Sequence, residues 1–147
     1  MAFTNLIQTL NKNMKKTTQK QSGKYVDGFV LMIKSKNIEA YKKMAQEASK
    51  VWMKHGALEY KECVGEDMQP NMGGHTPLLT FPKLTKLKPD EVVIFAYIVY
   101  KSRAHRDAVN KKVMAEMSKD ADKYKDMEMP FDMKRMAYGG FQVLVDA

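Results

Sequence analysis

The run Val92-Val-Ile-Phe-Ala-Tyr-Ile-Val-Tyr100 has no residue that is not apolar or aromatic. Nine residues fall far short of the ~20 that cross a bilayer, so the run is strand-sized. A strand with one wet face alternates apolar and polar residues. This one does not, so both of its faces must be covered. Lys101 and Ser102 end it. The Ser102 hydroxyl is placed to cap a helix opening with Arg103, His105, Arg106 and Asp107 and running to about Ser118.

The same pattern stands earlier in the chain. Tyr25–Ile33 reads as a strand, Ser35 or Asn37 as the cap, and Ile38 to His55 as a helix with Ile38, Tyr41, Ala45, Ala48 and Trp52 on its buried stripe. Gly56 ends it. Leu31–Tyr41 aligns with Ile98–Ala108 at a constant offset, strand then Lys-Ser then helix. Ala57–Gly65 reads as a second strand, with Leu58, Tyr60 and Val64 opposite Glu59, Lys61 and Cys63. Residues 66–90 lose periodicity and read as a long loop, with an extended piece at Leu78–Phe81. A helical turn near Asp122–Met127 precedes a break at Pro130, and Met136–Val145 reads as the last strand. The order β-α-β, loop, β-α-β predicts an α+β ferredoxin-like fold: a four-stranded antiparallel sheet with both helices on one face. The doubly apolar strand then requires something on the other face, and a second copy of the sheet, forming a homodimer, satisfies it.

The 147 residues suit one domain. Of the net charge of +8, the five lysines of residues 1–24 stand among no acids; the remainder holds 20 basic against 17 acidic residues. Residues 1–23 therefore read as a flexible basic leader with a short apolar stripe, Phe3, Leu6, Ile7 and Leu10, and residues 24–147 as the domain. A nucleic-acid-binding protein using that leader is one alternative, but the nearly balanced body makes nucleic acid an unfavoured partner. A lone cysteine, Cys63, and no membrane-spanning run point to a cytoplasmic protein.

Two segments carry a family resemblance. They are Ser102-Arg-Ala-His-Arg-Asp-Ala-Val-Asn110 and Met129-Pro-Phe-Asp-Met-Lys-Arg-Met-Ala-Tyr-Gly-Gly-Phe141. With Tyr25-Val-Asp-Gly-Phe29 and His55-Gly-Ala-Leu-Glu-Tyr60, they resemble the YbaA-like DUF1428 family of small, uncharacterised bacterial proteins. The resemblance covers residues 24–147 and implies a dimeric α/β barrel. The wider superfamily includes cofactor-free monooxygenases, haem-degrading enzymes and small-molecule binders, and fold kinship alone assigns none of these activities.

The candidate chemistry lies in a few polar residues. His105 and Arg106 border the buried stripe Val109, Val113 and Met117 in a first helical turn, where free N–H groups attract anions, with Asn110 one turn on. The structural alternative is an ion pair between Arg106 and Asp27, Glu59 or Asp107. Asp27 and Glu59 on first-half strands are candidates for acid–base work if their faces coincide. His105 is the third catalytic candidate. His55, beside Gly56, is explained by the helix dipole. Three histidines at 55, 75 and 105 lack metal-ligand spacing, and no cofactor motif is present. The Met-rich run Met127, Met129, Met133 and Met136 offers an adaptable apolar lining or core filler, Gly139-Gly140 a close backbone approach, and Arg135 a further ligand contact.

The favoured reading is a dimeric protein binding a small anionic or aromatic metabolite between sheet and helices. Trp52, Phe95, Tyr97 and Phe141 line that pocket, with Arg106, His105, Asn110 and Arg135 as polar contacts. The alternative is a cofactor-independent monooxygenase or isomerase of the same fold.

Overall fold

The computed structural model describes residues 23–75 and 79–147. The predicted leader stripe at Phe3–Leu10, and with it the leader-based nucleic-acid reading, lies outside the described residues. So does Leu78. The elements are β1 (Tyr25–Lys34), α1 (Ile38–Lys54), β2 (Glu59–Val64), α2 (Phe81–Thr85), β3 (Glu91–Tyr100), α3 (Arg103–Lys119), α4 (Ala121–Tyr124) and β4 (Ala137–Gln142). Short 3-10 turns precede α1 and β4.

The sheet order is β2-β3-β1-β4, and all three pairings are antiparallel. This is the expected ferredoxin-like arrangement. β3 pairs with β1 along all ten residues, from Tyr25↔Tyr100 to Lys34↔Glu91. Its other edge pairs with β2, from Glu59↔Val99 to Val64↔Ile94. Register sets the faces, because alternate side chains point to opposite sides. Tyr25, Asp27, Phe29, Leu31 and Ile33 face the helices with Ile94, Ala96, Ile98 and Tyr100. Val26, Val30, Phe95, Tyr97 and Phe141 lie on the other face.

Ser102 caps α3 as predicted: its hydroxyl accepts from the His105 N–H at 3.1 Å. Val109 and Val113 on that helix are almost wholly buried, each contributing about 1.5–3 kcal/mol over an exposed position. The predicted cap of α1 is not formed. No side chain caps that helix; Asn37 instead donates to the Pro130 carbonyl at 3.2 Å, and Ser35 to the Asp90 carbonyl. Tertiary partners have drawn both away from the helix end.

The expected extended piece ending at Phe81 is corrected too. Phe81–Thr85 forms the one-turn helix α2, with Thr80 accepting from the Lys83 N–H and Pro82 in the first turn. Thr followed by Pro two residues on was the start signal. Phe81 packs edge-on against Phe95, so α2 covers one corner of the face that bears no helices from the two repeats. Gly139 and Gly140 introduce no bulge; β1 and β4 pair continuously through them. A β-carbon at Gly140 would collide with the Tyr25 hydroxyl, so the close approach is made by Tyr25.

Gly56 closes α1 with φ +109°. Its N–H donates to the Met53 carbonyl and that of Ala57 to the Trp52 carbonyl, both at 3.1 Å, which is a Schellman ending. A β-carbon there would stand 3.4 Å from His105 Nε2. Gly56→Ala should therefore cost about 1–2 kcal/mol in urea unfolding, the strain of left-handed backbone, without altering the far-ultraviolet spectrum.

Candidate functional site

Asp27 sits on a central strand and faces the helices, and only 1% of its surface is exposed. A carboxylate so placed must be paired or shed its charge. α3 supplies its direct partners, and other elements hold those partners in place. From α3, Arg106 brings Nη1 to 3.4 Å from Asp27 Oδ1, and Asn110 Nδ2 donates to Oδ2 at 3.4 Å. Asn110 Oδ1 in turn accepts from Trp52 Nε1 on α1 at 3.1 Å and from the Tyr100 hydroxyl on β3 at 3.2 Å. Arg106 also donates to the Tyr138 hydroxyl at 3.0 Å and the Tyr25 hydroxyl at 3.4 Å, lies 5.0 Å from the Tyr25 ring centre, and pairs with Asp107 at 2.9 Å. Tyr138 stacks on Phe29.

Burial raises the proton affinity of Asp27 above the ordinary carboxylate value. The Arg106 charge opposes this, as do Asn110 and the nearby Tyr138 and Tyr100 hydroxyls, without cancelling it. Asp27 Oδ1 is fully buried and has only the long 3.4 Å contact to Arg106 Nη1.

Asp27, Trp52, Asn110 and Tyr138 form one end of an open cavity of about 930 Å³ between the sheet, α1, α3 and the segment leading to β4. The rest of its wall is largely apolar. Methionines dominate: Met44 on α1, Met114 and Met117 on α3, and the run Met127, Met129, Met133 and Met136. That run is a lining, one of the two uses foreseen for it.

At the sheet edge the wall ends in Glu62, whose carboxylate accepts from the Tyr41 hydroxyl at 2.7 Å and from the Tyr60 hydroxyl at 2.9 Å. Much of Glu62 is open to solvent along the edge strand, but crowding about its carboxylate raises its proton affinity, against the two hydroxyls. Trp52 lies 6.2 Å from Tyr60, ring centre to ring centre.

The structure brings together Asp27, Arg106, Asn110 and Trp52, and it separates the other candidates. Glu59 pairs across from Val99, on the face away from the helices; Asp27 faces them. The two carboxylates lie on opposite sides of the sheet and do not form an acid–base pair. Tyr97, Phe95 and Phe141 belong to that same opposite face and do not line the cavity.

His105 is also outside the cavity wall. Its Nδ1 accepts from the Lys101 N–H at 3.1 Å, which leaves the proton on Nε2, and its ring stands edge-on to Tyr100. Partial burial, followed by Lys101 and Lys112, lowers its proton affinity. It holds the strand-to-helix turn. Arg135 is spent on Glu91, with contacts of 2.5 and 3.0 Å, and on the Thr85 and Lys86 carbonyls, where it fastens the α2 loop. His55 meets Glu116 at 2.5 Å, a link between the two long helices.

Sequence reasoning missed Glu62, Tyr60 and Tyr41 as a unit. Strand alternation puts Glu62 on the same face as Tyr60, and a tyrosine on a buried helix stripe needs a partner for its hydroxyl. Those two signals were available. Among the described residues no cluster of three His, Cys, Asp or Glu could hold a metal, and no helix is long and apolar enough to cross a membrane.

The ion pair yields a pH-dependent prediction. Arg106→Ala strands Asp27 in a buried site and should cost about 3–5 kcal/mol near pH 8. Ionising a carboxylate whose folded-state proton affinity is raised costs the folded state, so its stability falls as pH rises above the ordinary carboxylate range. Removing the opposing Arg106 charge raises that affinity further. The loss in Arg106→Ala should therefore shrink toward about pH 5, and adding Asp27→Asn should abolish the dependence, read by urea unfolding across that range.

The comparisons with known proteins agree with this architecture. The family described as "Protein of unknown function (DUF1428)" matches residues 24–133. The chain is 37% identical over 125 residues to "Uncharacterized protein YbaA" of Escherichia coli strain K12, across 84% of this chain and 98% of that one. It is 37% identical, with the same coverage, to the protein of that name from Shigella flexneri. Among solved structures, a dimeric ferredoxin-like protein from an uncultured marine organism superposes with a TM-score of 0.56 at 12% identity, over 85% of this chain and 99% of that chain. With this fold, this sequence kinship and the family match over most of its length, the chain belongs to the DUF1428 family.

Proposed function

We propose that this chain works as a homodimer that binds a small, largely apolar molecule, aromatic rather than anionic, in the cavity between sheet and helices. The carrying observation is the methionine-lined cavity of about 930 Å³. Domain interiors pack with few voids larger than a water molecule, whereas ligand sites run to ~300–1,000 Å³ with a few convergent polar groups. Methionine is the side chain that remoulds most easily around an apolar guest. The Asp27 end of the cavity does not suit an anionic ligand. Arg106 is committed to Asp27, Asp107 and two tyrosine hydroxyls, and the charged group on the cavity wall at that end is the Asp27 carboxylate.

The neutral dye N-phenyl-1-naphthylamine should gain fluorescence on binding the wild-type protein. Ala48→Trp, which places an indole into the cavity from α1, should weaken that binding by roughly tenfold or more, the loss of one well-packed apolar group. Equal dye binding by the two proteins would refute the reading.

The sheet face opposite the long helices supports the dimer. Phe95 and Phe141 on it are 45% and 60% exposed, beside Tyr97, and such apolar area marks an interface. The superposing marine protein is itself described as dimeric. Light scattering should give about twice the 16.9 kDa chain mass. Phe141→Asp should halve that value and leave the helical spectrum intact; a wild-type monomer at micromolar concentration would exclude the dimer.

A second reading, acid–base catalysis without a cofactor, rests on Asp27 alone. A carboxylate with raised proton affinity against an apolar cavity is the usual form of a general base.

A further inference from the structure

The methionines of the cavity wall divide into two sets. Met44 and Met136 are half-buried and pack against the core around Leu31 and Ile94, and Met117 is half-buried against that around Val109 and Val113. Packing holds these three. The other four are open to water. Met114 on α3 is 52% exposed, Met127 and Met129 on the segment after α4 are 43% and 40% exposed, and Met133 in the turn before β4 is 58% exposed. Each of the four lines the cavity and meets solvent at once. They lie on the helix side of the sheet, so a second copy docked on the opposite face leaves them open.

A thioether is an apolar group that a mild oxidant turns polar. Its sulfur lone pair attacks the terminal oxygen of a hydroperoxide. The S–O bond forms as the O–O bond breaks, and sulfur gives up two electrons. The proton of the transferred oxygen passes to the departing one, which leaves as water or an alcohol. Two thiols reverse the change, giving the thioether, a disulfide and water. The oxidation uses no catalytic group of the protein, so susceptibility follows exposure.

We infer that Met114, Met127, Met129 and Met133 form an oxidisable rim: a hydroperoxide converts them to sulfoxides and thereby closes the cavity to an apolar guest. This rests on the small-molecule reading above and adds regulation of that same site. A sulfoxide at the rim weakens binding in either orientation. Turned inward, its oxygen faces the guest and sheds water without gaining a donor. Turned outward to keep its water, it takes apolar surface out of the wall. The core-packed methionines stay shielded and hold the fold while the rim changes. Met53 and Met72 supply the contrast. They are 45% and 67% exposed but stand off the cavity wall, so their oxidation leaves binding unchanged.

The test treats the full chain with hydrogen peroxide, locates the sulfoxides by peptide mass spectrometry, and titrates the naphthyl dye before and after. Every protein carries Cys63→Ser, because that exposed thiol, also off this wall, would oxidise too. Oxygen should enter the four rim methionines before Met44, Met117 and Met136. Dye affinity should then fall about tenfold or more, the effect of a polar group set against an apolar guest, with the far-ultraviolet spectrum unchanged. Methionine sulfoxide reductases supplied with a thiol should restore it. The double variant Met53→Leu, Met72→Leu should lose affinity on oxidation as its parent does. The quadruple variant Met114→Leu, Met127→Leu, Met129→Leu, Met133→Leu should lose none of its own starting affinity, because leucine takes up no oxygen. The parent series decides the matter even if the quadruple variant fails to fold.

A parent protein that carries the four rim sulfoxides and binds the dye as before would overturn the inference. So would rim methionines that resist peroxide while Met53 and Met72 react, affinity lost only together with the helical spectrum, or an equal loss in the quadruple variant. In each of these cases the unoxidised protein still binds the dye, and the small-molecule reading stands. Absence of dye binding before any oxidation would remove that reading and the regulation with it.

Discussion

The structure depends on β3, which is hydrogen-bonded along both edges and sinks one whole face into the core beneath the helices. Its ten residues pair with β1, and six of them pair again with β2. Ile94, Ala96, Ile98 and Tyr100 support the long helices, and Val93, Phe95, Tyr97 and Val99 form the centre of the opposite face. A slip of one residue would exchange these two sets, moving Tyr100 and its bond to Asn110 out of the core. Register is therefore held by packing of the helix-facing set together with pairing on both edges. Every polar group of the candidate site inherits its position from it.

That polar site exists because one carboxylate breaks the apolar pattern of β1. Asp27 would be intolerable in a dry core by itself. The fold answers with groups from α1, α3, β3 and β4, and through Asn110 it ties the two long helices to each other and to the sheet. The answer is incomplete, since the contacts to the carboxylate are long and its proton affinity stays above the ordinary value. A fully apolar replacement of such a pair is often no less stable. The network stands at one end of the large cavity.

The cavity is a consequence of how the long helices are spaced on the sheet. Val109 and Val113 seat α3 closely over Ile98 and Tyr100, while Tyr41 and Ala45 seat α1 over Ile94 and Ala96. Between these two footholds the sheet is bridged by Trp52, Asn110 and methionines, which span the gap without filling it. The segment after α4 completes the wall. It is fixed at its far end by the Asn37 bond to the Pro130 carbonyl and by Phe131, which bridges to Ile33 and meets Tyr41 edge-on.

Local signals in the chain carried most of the architecture. The apolar run of β3, the two Lys-Ser junctions, the helical stripes and Gly56 specify strands, helices and their ends within a few residues, because side-chain periodicity and backbone sterics act over short distances. They also marked Asp27 as out of place, and set Arg106 and Asn110 one turn apart on one helix. What they could not settle was which faces meet. Asp27 and Glu59 were both legible as strand carboxylates, yet the β1–β3–β2 register alone puts them on opposite sides of the sheet. The same register sends Tyr97 away from the cavity, gives Arg135 to Glu91, and joins Glu62 to two tyrosines 21 and two residues away in sequence. Partnership between distant side chains is decided by how strands align and how closely helices approach, and these depend on packing summed over the whole domain rather than on any single stretch of it.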